Sequence, residues 1–284
     1  MRFSNSFYFL ALSILLVFNS SCKKDDKKED PTPAPVGYGK VSLEFNHVFG
    51  DQDLALGTWY INGNGDSVNL STLKYFVTNI RLGKSDGSFY TIPKERSYFM
   101  VNQDSAKTKS IELDSIPTGN YTTVEFLLGV DSLKSRAPLS QRTGVLDPTG
   151  GMTNGMYWSW NSGYIFFKME GTSPKAPISQ FTNERSFFYH IGFYGYKGAD
   201  AEFPDAQALN NLKTIQLNKA GAVLDVRKDK TSEAHLMLDV AKVWKSSTYT
   251  INVATDPDLM FDARSLKVSQ NYSQAFSLDH VHND

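Results

Sequence analysis

The sequence predicts an all-β fold, a single β-sandwich-like domain carrying long irregular loops. Three observations lead there. Val41, Leu43, Phe45, His47 and Phe49 alternate with mostly polar neighbours, the period-2 pattern of a half-buried strand. Short apolar runs then recur along the chain, bounded by Gly, Pro, Asn and Asp, as expected of many short strands joined by turns. The longest aromatic-rich stretch, Gly150 to Gly171, also reads as a core strand: Trp158 and Trp160 are two apart and share one face when extended.

Taken in order, the chain divides at residues 21 and 37. Residues 1–21 read as a lipoprotein signal peptide, with Arg2 ahead of an apolar run from Phe7 to Phe18 that falls short of the about 20 residues a membrane-spanning helix needs. Cys22, the single cysteine among 284 residues, follows Ser20 and Ser21 and is the expected lipidation site. Asn19 stands where a lipobox has an aliphatic residue. Residues 22–37 form a charged, then Pro-rich tether (KKDDKKED, PTPAPVG), unable to bury a core. Lysines and paired aspartates behind the anchor resemble the surface-export signal of Bacteroidetes lipoproteins, so the expected location is the outer membrane, facing the periplasm or the cell surface.

Residues 38–284 make the domain. After the first strand, Leu73 to Leu82 is a second, and Lys84 to Ser88 is a turn into Phe89–Ile92, because Asp-Gly tolerates positive φ. Ile111–Leu113, the turn at Pro117–Asn120 and Tyr121–Val130 read as the next hairpin. Ser186–Phe193, Thr214–Leu217, Ala222–Val226 and Ala234–Val243 supply further strands. Irregular loops are expected at Asp131–Thr153, Gly171–Thr182 and Tyr196–Leu212, the last with a helical turn or two around Pro204–Leu212.

The chemistry narrows by exclusion. A net charge of −1, from 29 basic and 30 acidic residues, leaves no basic stripe for nucleic acid. There is no His-Glu-x-x-His helix, Gly-x-Ser-x-Gly elbow or phosphate-cradling glycine loop, and Asn62-Gly63-Asn64-Gly65-Asp66 is turn chemistry without the rest of a calcium loop. No enzyme is therefore expected. Acylation consumes the one thiol, so a metal would need imidazole, thioether or oxygen donors. Of five histidines, His235 is out of phase with Leu236, Leu238 and Val240 and is set aside as solvent-facing. His47 is in phase with the inward residues of the first strand, and His190 follows Phe188 by two. His280 and His282 share a face of an extended segment, in phase with Phe276 and Leu278. Convergence of these four would make a site suited to copper or zinc.

The motifs FNHVFG, LKYFVTNIRL, IPTGNYTTVEFLLGVD, GVLDPTGGM, YWSWNSGYIFFKMEG, FFYHIGFYG and NYSQAFSLDHVHND, in this order over about Val41 to Asp284, resemble the MbnP-like copper-binding family. The resemblance implies an exported, often lipid-anchored β-rich protein that binds copper. It carries over His47, His190, His280 and His282 as ligands, and Trp158 or Trp160 as the residue that a di-haem cytochrome peroxidase partner oxidises to kynurenine. Ala275 stands where the family has a methionine, which leaves Met152 and Met156 as thioether substitutes. The alternative is a surface module that keeps the fold without a metal and binds a glycan or a protein along the Trp158–Tyr164 stripe. A redox enzyme using bound copper is a third reading, weakened by the lack of any recognisable substrate pocket.

Overall fold

A computed structural model describes residues 37–149, 154–159, 163–197, 207–260 and 262–284. The signal segment, Cys22, most of the tether, Met152 and Trp160 lie outside these residues. Nine strands among them are six residues or longer: β1 (Tyr38–Phe49), β2 (Ser67–Gly83), β3 (Ser110–Pro117), β4 (Thr123–Leu128), β5 (Gly163–Thr172), β6 (Ser186–Gly192), β7 (Lys213–Asn218), β8 (Thr231–Asp239) and β9 (Phe276–Asn283). The fold is all-β and sandwich-like, and Val36–Asp284 forms one compact unit. No helix among the described residues is long and apolar enough to cross a membrane.

Two sheets carry the architecture. The smaller has the order β9-β8-β1, with β3 and Gln52–Asp53 on the far side of β1. The larger runs β7-β4-β2-β5-β6, extended by Asp258–Leu259 and by short strands along the 17-residue β2. The sheets meet through an aromatic layer. Phe45 of β1 packs edge-on against Tyr75 of β2 and Phe126 of β4, at 6.0 and 5.7 Å between ring centroids, and Phe276 of β9 reaches the same two rings at 5.7 and 5.5 Å. Edge-to-face pairs add roughly 0.5–1.5 kcal/mol each to the area they bury, so this layer fixes how the sheets face one another.

The alternation of β1 holds as expected, with Val41, Leu43, Phe45, His47 and Phe49 inward and buried, and Glu44 and Asn46 on the outer face. The turn at 84–88 also forms, closed by Lys84 N–H to the Ser88 carbonyl, with Gly87 at φ +84°. The expected hairpin at Pro117–Asn120 does not. β3 pairs with β1 in the smaller sheet, whereas β4 pairs with β2 and β7 in the larger one, so the chain crosses between layers there. Gly119 at φ +150° and the Tyr121 hydroxyl, which donates to the Pro117 carbonyl at 2.8 Å, shape the crossing. The helical turns expected around Pro204–Leu212 are likewise replaced, where described, by a strand Gln207–Asn210 paired with Tyr194–Lys197.

Two features frame the outer face of the smaller sheet and the approach to β9. β1 and β8 pair in parallel over nine rungs, Lys40–Thr231 to Val48–Asp239. Ahead of β9 the chain forms α1 (Ser265–Ser273), started by Asp262, whose Oδ1 accepts from the Arg264 and Ser265 amides at 2.8 and 3.2 Å. Its buried face is mostly small and polar, so it shows no apolar helical period, and Tyr272 anchors it by stacking on Phe167 at 4.9 Å.

Candidate metal centre

The outer face of the smaller sheet gathers three imidazoles. On an antiparallel pair, residues directly opposite present side chains to the same face. His235 of β8 lies opposite His280 of β9, and Glu233 lies opposite His282. Each of His235, His280 and His282 offers a ring nitrogen, and these nitrogens all lie within 4.8 Å of one another. His235, set aside from the sequence as a lone solvent-facing residue, is the centre of the group.

The expected phase of β9 is corrected by a β-bulge. Leu236 pairs with Leu278 but the next residue back, His235, pairs with His280, leaving Asp279 without a partner. One extra residue moves everything after it to the opposite face. Phe276 and Leu278 therefore point into the core, while Val281 takes up the inward position and His280 and His282 turn outward.

Around the imidazoles the hydrogen bonds fix which nitrogen is free. His280 Nδ1 lies 2.9 Å from Asp279 Oδ2, and a carboxylate accepts only, so Nδ1 carries the proton and Nε2 the lone pair. The Asp279 carboxyl is held below its ordinary value chiefly by this bond. That His280 Nε2 accepts a hydrogen bond from His282 Nε2–H at 3.1 Å. Two nitrogens bound to one ion at about 2.0–2.1 Å and a tetrahedral angle stand about 3.3–3.4 Å apart, so the pair is a few tenths of an ångström short of the spacing an ion would set. His235 stacks on His280 at 4.1 Å, its Nε2 donating to Glu233 Oε1 at 2.7 Å and its Nδ1 accepting from the Asn46 side-chain amide at 3.1 Å. Glu44 Oε2 lies 3.7 Å from the same Nδ1.

The other two histidines expected as ligands stand apart from this group. His47 is buried between the sheets, Nδ1 donating to Gln103 Oε1 at 2.6 Å and Nε2 accepting from the Tyr75 hydroxyl at 2.8 Å. Burial lowers its pKa to about 4, so the ring is neutral and its lone pair is already engaged. His190 lies on the larger sheet, with Nε2 on Glu170 Oε1 at 2.6 Å and Lys168 Nζ 3.0 Å from the same oxygen. Burial pushes the Glu170 carboxyl up, but His190 and Lys168 outweigh it and hold the value at about 2. Among the described residues, the four expected ligands do not converge; two of them do, together with His235.

The family model MbnP matches residues 38–261. This chain belongs to the MbnP family. Membership supports a metal-binding role at the level of the family. The match ends ahead of β9, so the place of His280 and His282 in this MbnP family member rests on the geometry above. Among solved structures the chain is similar to MbnP from Methylosinus trichosporium, at 18% sequence identity and a TM-score of 0.47, over 76% of this chain and 81% of that one. A search of curated proteins found no match.

Of the accessory residues, Trp158 sits in a two-residue strand paired with the start of β5 and is nearly buried. Its ring lies so close over Gly192 that a Cβ there would come within 2.7 Å of it. Met156 is fully buried in the core. Both belong to the larger sheet's side of the molecule, and neither is among the groups gathered around His235. A signal for the bulge does exist in the sequence: the apolar spacing of β9 runs Phe276, Leu278, Val281, a step of two and then of three. That break in period would have turned His280 and His282 outward, onto the face His235 occupies.

Proposed function

We propose that this protein binds a transition-metal ion on the outer face of its smaller sheet, through His280 Nε2 and His282 Nε2 with His235 beside them. Copper is the ion that the family resemblance implies, and capture or delivery, rather than turnover of a substrate, is the role. One observation carries the reading. Asp279 takes the Nδ1 proton of His280 and so aims its lone pair at His282 Nε2 from 3.1 Å, where an ion would take the place of the one proton the two rings share. The apolar leader and lone Cys22 support a second part of the proposal, that the protein is exported and lipid-anchored at the outer membrane. A di-haem cytochrome peroxidase belongs to the same reading as a partner.

The test is metal analysis of the full chain, without a His tag, after loading with copper and desalting. Retention of about one ion per chain is expected, with affinity reduced at least about a hundredfold in His280→Ala/His282→Ala. Both rings are exposed, so the variant should keep its circular dichroism and a stability within about 0.5 kcal/mol of the parent. Unchanged copper binding in that variant would sink the site.

A second reading has its own observation. Trp158, Tyr164, Phe166, Phe193 and Tyr194 line a cavity of about 380 Å³, within the usual range for small-ligand sites. Phe193 is held at φ +75°, rare for a bulky residue, with its carbonyl accepting from Asn211 N–H at 3.1 Å. A module binding a glycan or a protein through aromatic stacking would use this cavity. It is favoured if the purified chain retains no metal but binds sugars or peptides with quenching of tryptophan fluorescence.

A further inference from the structure

We propose that the three-histidine centre is built for a divalent ion rather than Cu(I), and that Glu44 and Glu233 make the choice. The inference rests on the metal-binding reading above and names the class of ion. The strand register determines what surrounds the His280–His282 pair. Glu233 stands directly opposite His282, and Glu44 stands beside His235 on the neighbouring strand. Their carboxylate oxygens and a nitrogen of His235 form a second group of close donors sharing that histidine. Asp279 adds a third carboxylate through His280. Lys219 lies 3.7 Å from Asp279.

Donor type and charge then agree. Imidazole and carboxylate donors suit Zn(II) and Cu(II), whereas Cu(I) is selected by soft thioether and thiolate sulfur. The sulfur-bearing side chain on this face, Met237, stands opposite Ser277, two rungs from the His235–His280 pair and on the side away from His282. At any fixed position a 2+ ion gains twice the Coulomb attraction of a 1+ ion to the same carboxylates. His235 has both nitrogens engaged, Nε2 donating to Glu233 and Nδ1 accepting from Asn46, so it stands beside the His280–His282 pair as a support and becomes a ligand only where an ion displaces the Asn46 amide.

The experiment titrates the full chain and its Glu44→Gln/Glu233→Gln variant with Zn(II) and Co(II), and separately with Cu(I) under anaerobic reducing conditions against a chromophoric chelator. Glutamine keeps the acceptor for His235 and removes only the charge. The expected result is a loss of about tenfold or more in Zn(II) and Co(II) affinity, with Cu(I) affinity changed less than about threefold. Equal weakening of all three ions, or no weakening, overturns the proposal. So does tighter binding of Cu(I) than of Zn(II) by the parent chain, above all if Met237→Leu abolishes it. His280→Ala/His282→Ala separates the two readings: an ion lost there while Cu(I) is preferred overturns the divalent assignment alone, and an ion retained there overturns both.

Discussion

His47 and His280 stand on opposite faces of the same five-stranded sheet, and the contrast lies in where each ring's lone pair goes. Inside, Gln103 takes one nitrogen's proton and the Tyr75 hydroxyl fills the other, so the imidazole serves the core as a neutral, fully bonded polar group. Outside, Asp279 takes the proton of His280, and its remaining nitrogen accepts from another exposed imidazole whose proton an ion can displace. A histidine on a strand is thus no ligand by virtue of its position alone. Its partners decide whether a lone pair is left to give.

The contrast can be broken first by acid. Burial lowers the His47 pKa to about 4 from 6.5, so between these values the unfolded chain takes up a proton that the fold refuses. Its contribution is fully present above pH 6.5 and is lost as pH falls, amounting to about 3 kcal/mol by pH 4, below which the loss stops growing. Urea unfolding across this range should show that loss in the parent chain and lack it in His47→Gln, whose metal affinity should match the parent's. A metal affinity that falls with His47→Gln would mean that the inner ring has a free lone pair after all.

A middle-sized effect is expected at the other face. Asp279→Ala removes the acceptor that fixes the His280 tautomer, and metal affinity should drop about tenfold, read by chelator competition, while the urea midpoint stays put. Unaltered affinity would show that the tautomer is set by something other than Asp279. The smallest effect belongs to the larger sheet. His190→Ala should leave metal uptake unchanged and raise the Glu170 carboxyl from about 2 toward its ordinary range, since Lys168 remains as the only one of the two partners. An NMR titration of Glu170 reports the rise, and a change in metal uptake would bring His190 back as a ligand.

What the sequence made legible follows the range of the interaction. The alternation in β1 and the Asp-Gly turn at 86–87 are local, and both appear where the pattern put them. The crossing after Pro117 was hidden because the turn residues that make hairpins also carry a chain from one layer to another. Helix α1 was hidden because Ser265, Ser269 and Asn271 do the packing that apolar residues usually do. At the site, His280 and His282 were singled out for sharing a face, but the face was inverted by Asp279. His235 was discarded because its partners are strand neighbours remote in sequence, and a reading of one strand at a time cannot see across a ladder.

The parallel pairing of β1 with β8 also sets an order of events. Asn46 and His235, hydrogen-bonded in the finished sheet, are separated by 189 positions in the chain. A chain made from its N-terminus has β1 long before β8 exists, and β9 follows later still, so long-range closure must precede any gathering of the imidazoles. Until then the ions meet only scattered, flexible histidines. The centre is a late product of folding, and a tightly held ion would report that β1, β8 and β9 have come together.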